Sequence, residues 1–359
     1  MSVHFHALKV AEIVPETAEA NSIRFEIPTE LRDEFAFRAG QHLTLRATIN
    51  GEEVRRNYSL CTAPAEQDWM VTVKRIGSGL FSNWVGDQLK AGDTIEVMVP
   101  HGSFTTDYDA SRSRRLVGIA GGSGITPVIS LIKTLLREEP QSRFTLLYGN
   151  RDSSSVIFLE VLAALKDKHL GRLEIYHFLD QEEQDIDLFN GMLNRERLEE
   201  AITHLIPDAP IVDGWFICGP GPMMDGAEAA LLARGVPPAR ILIERFTSSA
   251  LSAEQLAQRE ALQQKAAGTN LTVILDGRRS RIAFDPTKGS ILDCVQAAGM
   301  PAPYACKGGV CTTCRAKILE GQVTMTKNYG LTEEEVAAGY VLTCQSVPAT
   351  DQVVLSYDE

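Results

Sequence analysis

Residues 114–139 read RRLVGIAGGSGITPVISLIKTLLREE: an apolar run, a glycine-rich turn, then a second apolar run of different period. In the second run Val128, Ile129, Leu131, Ile132, Leu135 and Leu136 recur at helical spacing, while the first run has the compact apolar block of a buried strand. Thr126 is expected as the N-cap of the helix and Pro127 as its first helical residue. RFTLLYGN, LEIYHFL, GWFICGP and RILIERF supply further strands, with helix-like segments between most of them. Strand alternating with helix predicts a parallel sheet covered on both faces, an α/β domain over residues 110–246.

Upstream the texture differs. LKVAEIV, SIRFEI, HLTLRATI, WMVTVKRI and TIEVMVP are short apolar runs punctuated by Gly40, Gly51, Pro64, Gly92 and Gly102. Strands at such regular spacing predict a small antiparallel β-barrel or sandwich over residues 1–109. Downstream, residues 247–269 are rich in Ala, Gln, Glu and Ser and read as a linker, part-helical at most. Residues 270–359 then give two β-like runs about a turn and a helix, enough for one small α+β domain.

That last segment holds CKGGVCTTC at 306–314, three of the chain's seven cysteines. With Cys344 they give C-x4-C-x2-C and a distant fourth thiol, the plant-type spacing for a 2Fe-2S cluster ligated by Cys306, Cys311, Cys314 and Cys344. Gly308 and Gly309 let the backbone curl closely around it. A zinc site or buried free thiols are the alternatives, and only Cys311 and Cys314 form a zinc-type C-x2-C pair. Disulfides are disfavoured because MSVHFHALKVAEIVPE lacks the basic-then-apolar pattern of a signal peptide, so a cytoplasmic location is expected. Cys294 lies outside the motif and reads as a small core residue. The seven histidines form no ligand-spaced cluster, and His4 and His6 read as an exposed strand face.

At 359 residues, with 44% hydrophobic and 23% charged residues, the composition is that of a multi-domain globular protein. A formal net charge of -12 disfavours nucleic acid or an anionic membrane surface as partner, and no apolar stretch reaches the length of a membrane span.

RRNYSL places Arg56 and Tyr58 on one side of a strand, a cation and an aromatic ring suited to a phosphate and a flat cofactor. VKRIGSGLFSNWV sets Gly77, Gly79 and Ser82 at a helix start, where backbone N–H groups suit a pyrophosphate. GGSGITP, 121–127, follows a strand and opens a helix, although Pro127 stands where a dinucleotide fingerprint has its third glycine. Such a turn binds phosphate or nothing. Cys218 in CGPGPMM is a cofactor-facing group or a buried thiol ending a strand.

Together these motifs resemble the ferredoxin-NADP reductase superfamily, here followed by a plant-type (β-grasp) ferredoxin domain. The resemblance implies that Arg56, Tyr58 and Ser59 contact flavin phosphate, ring face and ring edge, and that Gly79 and Ser82 approach the flavin phosphates. It makes GGSGITP the first nicotinamide motif, through Gly122 and Gly124, with Thr126 near the flavin. CGPGPMM becomes the second, with Gly219, and Cys218 approaches the reactive end of the nicotinamide. Ser59, Thr126 and Cys218 are thus the catalytic candidates, and Glu244 to Phe246 fall beside the flavin. Arg151 and Ser153, after a strand, fall at the adenosine ribose, where a cation favours NADPH over NADH.

The domain order is similar to that of reductases feeding bacterial oxygenases, most of all the reductase subunits of ring-1,2-phenylacetyl-CoA epoxidases. That likeness implies FAD, NADPH and a di-iron oxygenase subunit complex as electron acceptor. Electrons would pass from NADPH to flavin, singly to the cluster, and out to the partner. An NADH-dependent reductase of a Rieske-type or other aromatic-ring oxygenase is the first alternative. An electron-carrier or redox-sensing module without enzymatic activity is the second. Residues 270–359 hold ten acids and eight bases, milder than the strong acidity of free-standing ferredoxins.

Overall fold

The computed structural model describes residues 4–246 and 253–359. The chain divides into two compact units, Phe5–Arg245 and Phe246–Glu359.

The first unit opens with strands β1 (Phe5–Thr17), β2 (Ala20–Glu26), β3 (His42–Ile49), β4 (Glu52–Ser59), β5 (Trp69–Lys74) and β6 (Thr94–Met98), in the order β4-β3-β6-β1-β2-β5. All neighbours are antiparallel. The edge strands meet where Leu60 bridges Val71 and the Cys61 N–H donates to the Met70 carbonyl at 2.9 Å, which curls the sheet into a barrel. Alternate residues such as Leu8, Val10, Leu43, Leu45, Val71 and Val73 fill its interior. Asn50 and Gly51, with φ of 55° and 83°, make the tight turn between β3 and β4 and so fix their register. That register sets Tyr58 opposite Leu43 and Ser59 opposite His42. Helix α1 (Leu80–Asp87) follows β5.

The same unit continues into a parallel sheet of β7 (Arg115–Gly121), β8 (Arg143–Asn150), β9 (Leu173–Leu179), β10 (Gly214–Cys218) and β11 (Ile241–Glu244), ordered β11-β10-β7-β8-β9. Helices α2 (Ile125–Glu138), α3 (Leu159–Lys168), α4 (Arg195–Leu205) and α5 (Gly221–Ala233) connect the strands. Val117 and Ile119 of β7 point into the core shared with α4 and α5, and Gly118 between them faces Val128 of α2 on the opposite side. Eleven of the fourteen α2 residues are buried. Each fully buried Leu, Ile or Val stabilises by about 1.5–3 kcal/mol, so this helix is held by packing rather than propensity.

One expectation fails here. Thr126 is not the N-cap of α2: a 3-10 turn over Gly122–Gly124 runs directly into the helix, Gly124 takes the cap position, and the Thr126 hydroxyl donates back to the Ser123 carbonyl at 3.0 Å. The glycine turn is already helical, so the helix starts ahead of the Thr-Pro signal.

Residues 247–252 of the expected linker lie outside the described residues. The rest of that segment forms α6 (Ala253–Lys265), which belongs to the second unit: Gln263 Nε2 donates to the Gly289 carbonyl at 2.8 Å, and Leu262 packs on the core there. Strands β12 (Asn270–Leu275), β13 (Arg278–Ala283), β14 (Arg315–Glu320), β16 (Tyr340–Leu342) and β18 (Gln352–Ser356) make a mixed sheet ordered β13-β12-β18-β14-β16. Strands β15 (Val323–Met325) and β17 (Ser346–Pro348) pair separately, and α7 (Ile291–Ala297) and α8 (Glu333–Ala337) complete the unit. Ile291, Leu292 and Val295 of α7 bury against Leu271, Val273, Val353 and Leu355, the β-grasp arrangement of a helix held by a mixed sheet. Cys294 is buried in that core. His6 departs from the exposed face expected of it: its ring packs edge-on against Phe35 at 5.4 Å.

Candidate functional site

Strand β4 carries the first set of candidates. Arg56 is exposed, and its Nη1 donates to the Arg55 carbonyl at 2.7 Å. Tyr58 is half-buried with its ring 5.7 Å from Phe81 of α1, and burial pushes its phenol pKa upward, keeping it neutral. Ser59 is 2% exposed, and its hydroxyl has no hydrogen-bond partner among the described residues. A buried, unsatisfied hydroxyl costs stability unless a ligand completes it, so this serine fits a polar-edged cofactor. Gly79 precedes α1, whose N-terminus has no side-chain cap, and the Ser82 hydroxyl instead spans the turn between the Ile76 N–H and the Gly79 carbonyl. The first-turn N–H groups of α1 are thereby left for a phosphate.

The two glycine-rich motifs end β7 and β10, which are adjacent parallel strands. After β7 the chain crosses to β8 on one side, while β10 lies on the other, so the motifs flank the point where strand order reverses, the usual cofactor crevice of such sheets. Gly124 sits directly against the Cys218 carbonyl and leaves no room for a Cβ. Gly122 has φ of 52°, and Gly219 lies against Gly121. Cys218 is fully buried; burial, and then the Glu244 carboxylate, raise its thiol well above the ordinary range. The helix that carries Thr126 is tied to the segment after β4: Ser130 Oγ donates to the Thr62 carbonyl at 2.6 Å. Arg151 Nη2 donates to Glu19 Oε2 at 2.8 Å, and the Ser153 N–H donates to Glu182 Oε2 at 2.7 Å.

In the second unit the four cysteines come together in two pairs. Cys306 and Cys311 hydrogen-bond each other, as do Cys314 and Cys344. The hydrogen bond from Cys311 lowers the Cys306 thiol well below its ordinary range and raises its partner, and Cys314 in turn lowers Cys344. The Gly308 N–H donates to Cys306 Sγ at 3.3 Å, and the Cys306 and Cys311 N–H groups donate to each other's sulfur at 3.4 Å. Among the described residues no three Cys, His, Asp or Glu side chains converge as the ligands of one ion would. Two thiol pairs wrapped in backbone donors fit a two-iron cluster whose irons take two thiolates each.

Comparison with known proteins agrees domain by domain. The oxidoreductase FAD-binding domain family matches residues 7–106, the oxidoreductase NAD-binding domain family 119–229, and the 2Fe-2S iron-sulfur cluster binding domain family 273–349. One component of the 1,2-phenylacetyl-CoA epoxidase of Escherichia coli (strain K12) is 44% identical over 99% of this chain and 98% of its own. The ferredoxin reductase component of the 3-ketosteroid-9-alpha-monooxygenase of Rhodococcus rhodochrous is 38% identical over 98% and 96%. The chain belongs to the flavin and 2Fe-2S reductases of oxygenase systems. Phthalate dioxygenase reductase shares the fold of this reductase, with a TM-score of 0.60 and 24% identity over 98% of each chain. FAD-binding, NAD-binding and 2Fe-2S domains are therefore all present, and an oxygenase is the partner class. Among the described residues of the reductase no helix is long and apolar enough to cross a membrane.

Sequence reasoning missed His42. Its Nδ1 lies 3.4 Å from Glu244 Oε1, its ring is 4.2 Å from that of His101, and it stands across the ladder from Ser59. Burial, reinforced by His42, pushes His101 down to about 3 and keeps it neutral. Histidines 59 residues apart offer no spacing to read, so only folding brings this pair together. Gln345, which touches Cys344, was missed as well; its position next to the fourth cysteine of the motif was the available signal.

Proposed function

We propose that this reductase oxidises NADPH and delivers single electrons to a di-iron oxygenase, the complex that epoxidises phenylacetyl-CoA. The observation that carries the reading is the 44% identity with the epoxidase component along 99% of the chain, ferredoxin unit included. Bound FAD supplies the conversion from paired to single electrons that a one-electron cluster needs.

The chain's own residues hold and orient. Arg56 offers its charge to a flavin phosphate, Tyr58 its ring face, and Ser59 its unpaired hydroxyl to the ring edge. Gly79 and the α1 N-terminus, braced by Ser82, take the flavin phosphates. Gly122, Gly124 and Gly219 line the nicotinamide nucleotide, with Thr126 on the flavin side. Cys218, a neutral buried thiol, packs at the reactive end of the nicotinamide and excludes water there. Arg151 and Ser153 receive the 2′-phosphate, and Cys306, Cys311, Cys314 and Cys344 ligate the cluster. The barrel spans 1–109, the nicotinamide domain 110–246 and the ferredoxin domain 270–359 with α6 packed on its core, in a cytoplasmic protein.

One observation favours NADH instead. The Arg151 guanidinium and the Ser153 N–H are already paired with the carboxylates of Glu19 and Glu182, which a 2′-phosphate would have to displace. Supplying the intact chain with the di-iron oxygenase, phenylacetyl-CoA, oxygen and either nucleotide decides both points. Ring epoxide formed faster from NADPH is expected. No epoxide, with efficient coupling to a Rieske oxygenase, would move the chain to the alternative partner class, and faster turnover with NADH would reverse the nucleotide assignment.

A further inference from the structure

Gln345 follows Cys344 and is 5% exposed, a long amide held in the interior of the ferredoxin unit. Its Nε2 donates to the Lys307 carbonyl at 2.9 Å. A carbonyl only accepts, so this contact settles which end of the amide is nitrogen. The same Nε2 lies 3.7 Å from Cys344 Sγ, within the reach of an N–H···S bond. At the other end Oε1 accepts from Thr326 Oγ1 at 3.1 Å, and the Thr326 N–H donates to the Gln345 carbonyl at 2.9 Å. Gly309 closes around the side chain: its φ is 77°, and a Cβ there would stand 3.0 Å from Gln345 Cγ. One buried amide thus joins the cysteine loop, the Cys344 sulfur and the segment after β15, with both N–H groups committed.

We propose that Gln345 is a positioning residue that raises the reduction potential of the cluster by donating to the Cys344 sulfur and clamping the 306–311 loop at Lys307. Adding an electron increases negative charge on the ligand sulfurs, so an N–H aimed at one of them stabilises the reduced form more than the oxidised form. Backbone N–H groups also donate to these sulfurs, those of Gly308 and Cys311 to Cys306 and that of Gly309 to Cys344, and a side-chain substitution leaves them in place. The inference rests on Cys344 as a cluster ligand. That reading fails separately, if Cys344→Ser retains full iron.

The test is a mediated redox titration of the full-length protein, followed by the EPR signal of the reduced cluster, with iron content measured alongside. Gln345→Leu keeps the bulk and removes both donors. Expected is full iron with a more negative midpoint, on the order of a tenfold loss in the equilibrium constant for reduction, or ~59 mV for one electron. Thr326→Val touches no ligand and releases only the Oε1 anchor, so it carries the test if the leucine variant does not load. It should shift the midpoint in the same direction by less. A wild-type midpoint in a loaded Gln345→Leu protein, or in Thr326→Val where the leucine variant stays empty, overturns the proposal.

Discussion

Arg151 is the side chain proposed to receive the 2′-phosphate, a role that its surroundings contest. It is about half exposed, and its guanidinium is engaged by Glu19 from the barrel. A 2′-phosphate brings two negative charges against one carboxylate and three strong acceptors against two, so it should win the guanidinium. A charge-assisted hydrogen bond is worth about 1.5–3 kcal/mol, equivalent to roughly ten- to a hundredfold in affinity. Arg151→Ala is accordingly expected to raise KM for NADPH by at least about tenfold while leaving KM for NADH near its starting value. Steady-state kinetics with both nucleotides checks this, and equal effects on the two would remove Arg151 from the phosphate subsite.

At the scale of elements, the contact between two turns and the joint between two domains matter most. The 121–127 and 218–224 turns meet at Gly124, where the Cys218 carbonyl occupies the space of a Cβ. Gly124→Ala must therefore push β10 and α2 apart. Slower flavin reduction and a raised nucleotide KM should result, with flavin and cluster absorbance retained because β4, α1 and the four cysteines lie outside the displaced pair. Stopped-flow reduction under anaerobic conditions reads the first effect. The joint is Arg114, whose Nε and Nη2 grip both carboxylate oxygens of Glu139 at 3.0 and 2.6 Å while Nη1 reaches Thr106 Oγ1 at 2.9 Å. Glu139 is fully buried at the end of α2. Burial alone would raise its pKa, but Arg114, Ser142 and the Asp109 N–H outweigh it and hold the carboxyl below the ordinary range. Arg114→Leu strands that charge and is expected to cost about 3–5 kcal/mol, read as a lowered Tm. Because the folded pKa is depressed, the pair's contribution is complete above the unfolded carboxylate pKa and is lost as pH falls through the folded value. The gap in stability between wild type and variant should narrow in acid.

Across the whole molecule, the two compact units bury separate cores, one set around the barrel and parallel sheet and the other around α7 and the β-grasp sheet. Loss of the cluster should then leave the flavin in place. Cys344→Ser is expected to lose iron and the visible bands of the cluster, keep stoichiometric FAD, and retain NADPH oxidation with ferricyanide, which accepts electrons from flavin. Electron delivery to an oxygenase should collapse. Iron analysis and absorption spectra separate the two cofactors, and stoichiometric iron in the variant would show that Cys344 is dispensable.

The amino-acid sequence by itself determined the three kinds of domain, because each announces itself in local chemistry: period-two strands with turn residues, strand-helix alternation, and thiols at cluster spacing. It also located the turns after β7 and β10, since glycine where backbone must approach backbone is a local demand. The start of α2 was misread for the same reason: a Thr-Pro pair is a local signal, and a glycine turn already wound into the helix overrode it. What the tertiary structure alone decided are contacts whose partners are distant in the chain. His42 meets Glu244 and His101, Arg151 meets Glu19, Ser130 meets Thr62, and the Gln345 amide is turned by the Lys307 carbonyl so that its nitrogen faces Cys344. Hydrogen bonds and ion pairs act over a few ångströms and take no account of sequence separation, so no spacing pattern encodes them until packing of the apolar faces brings their ends together.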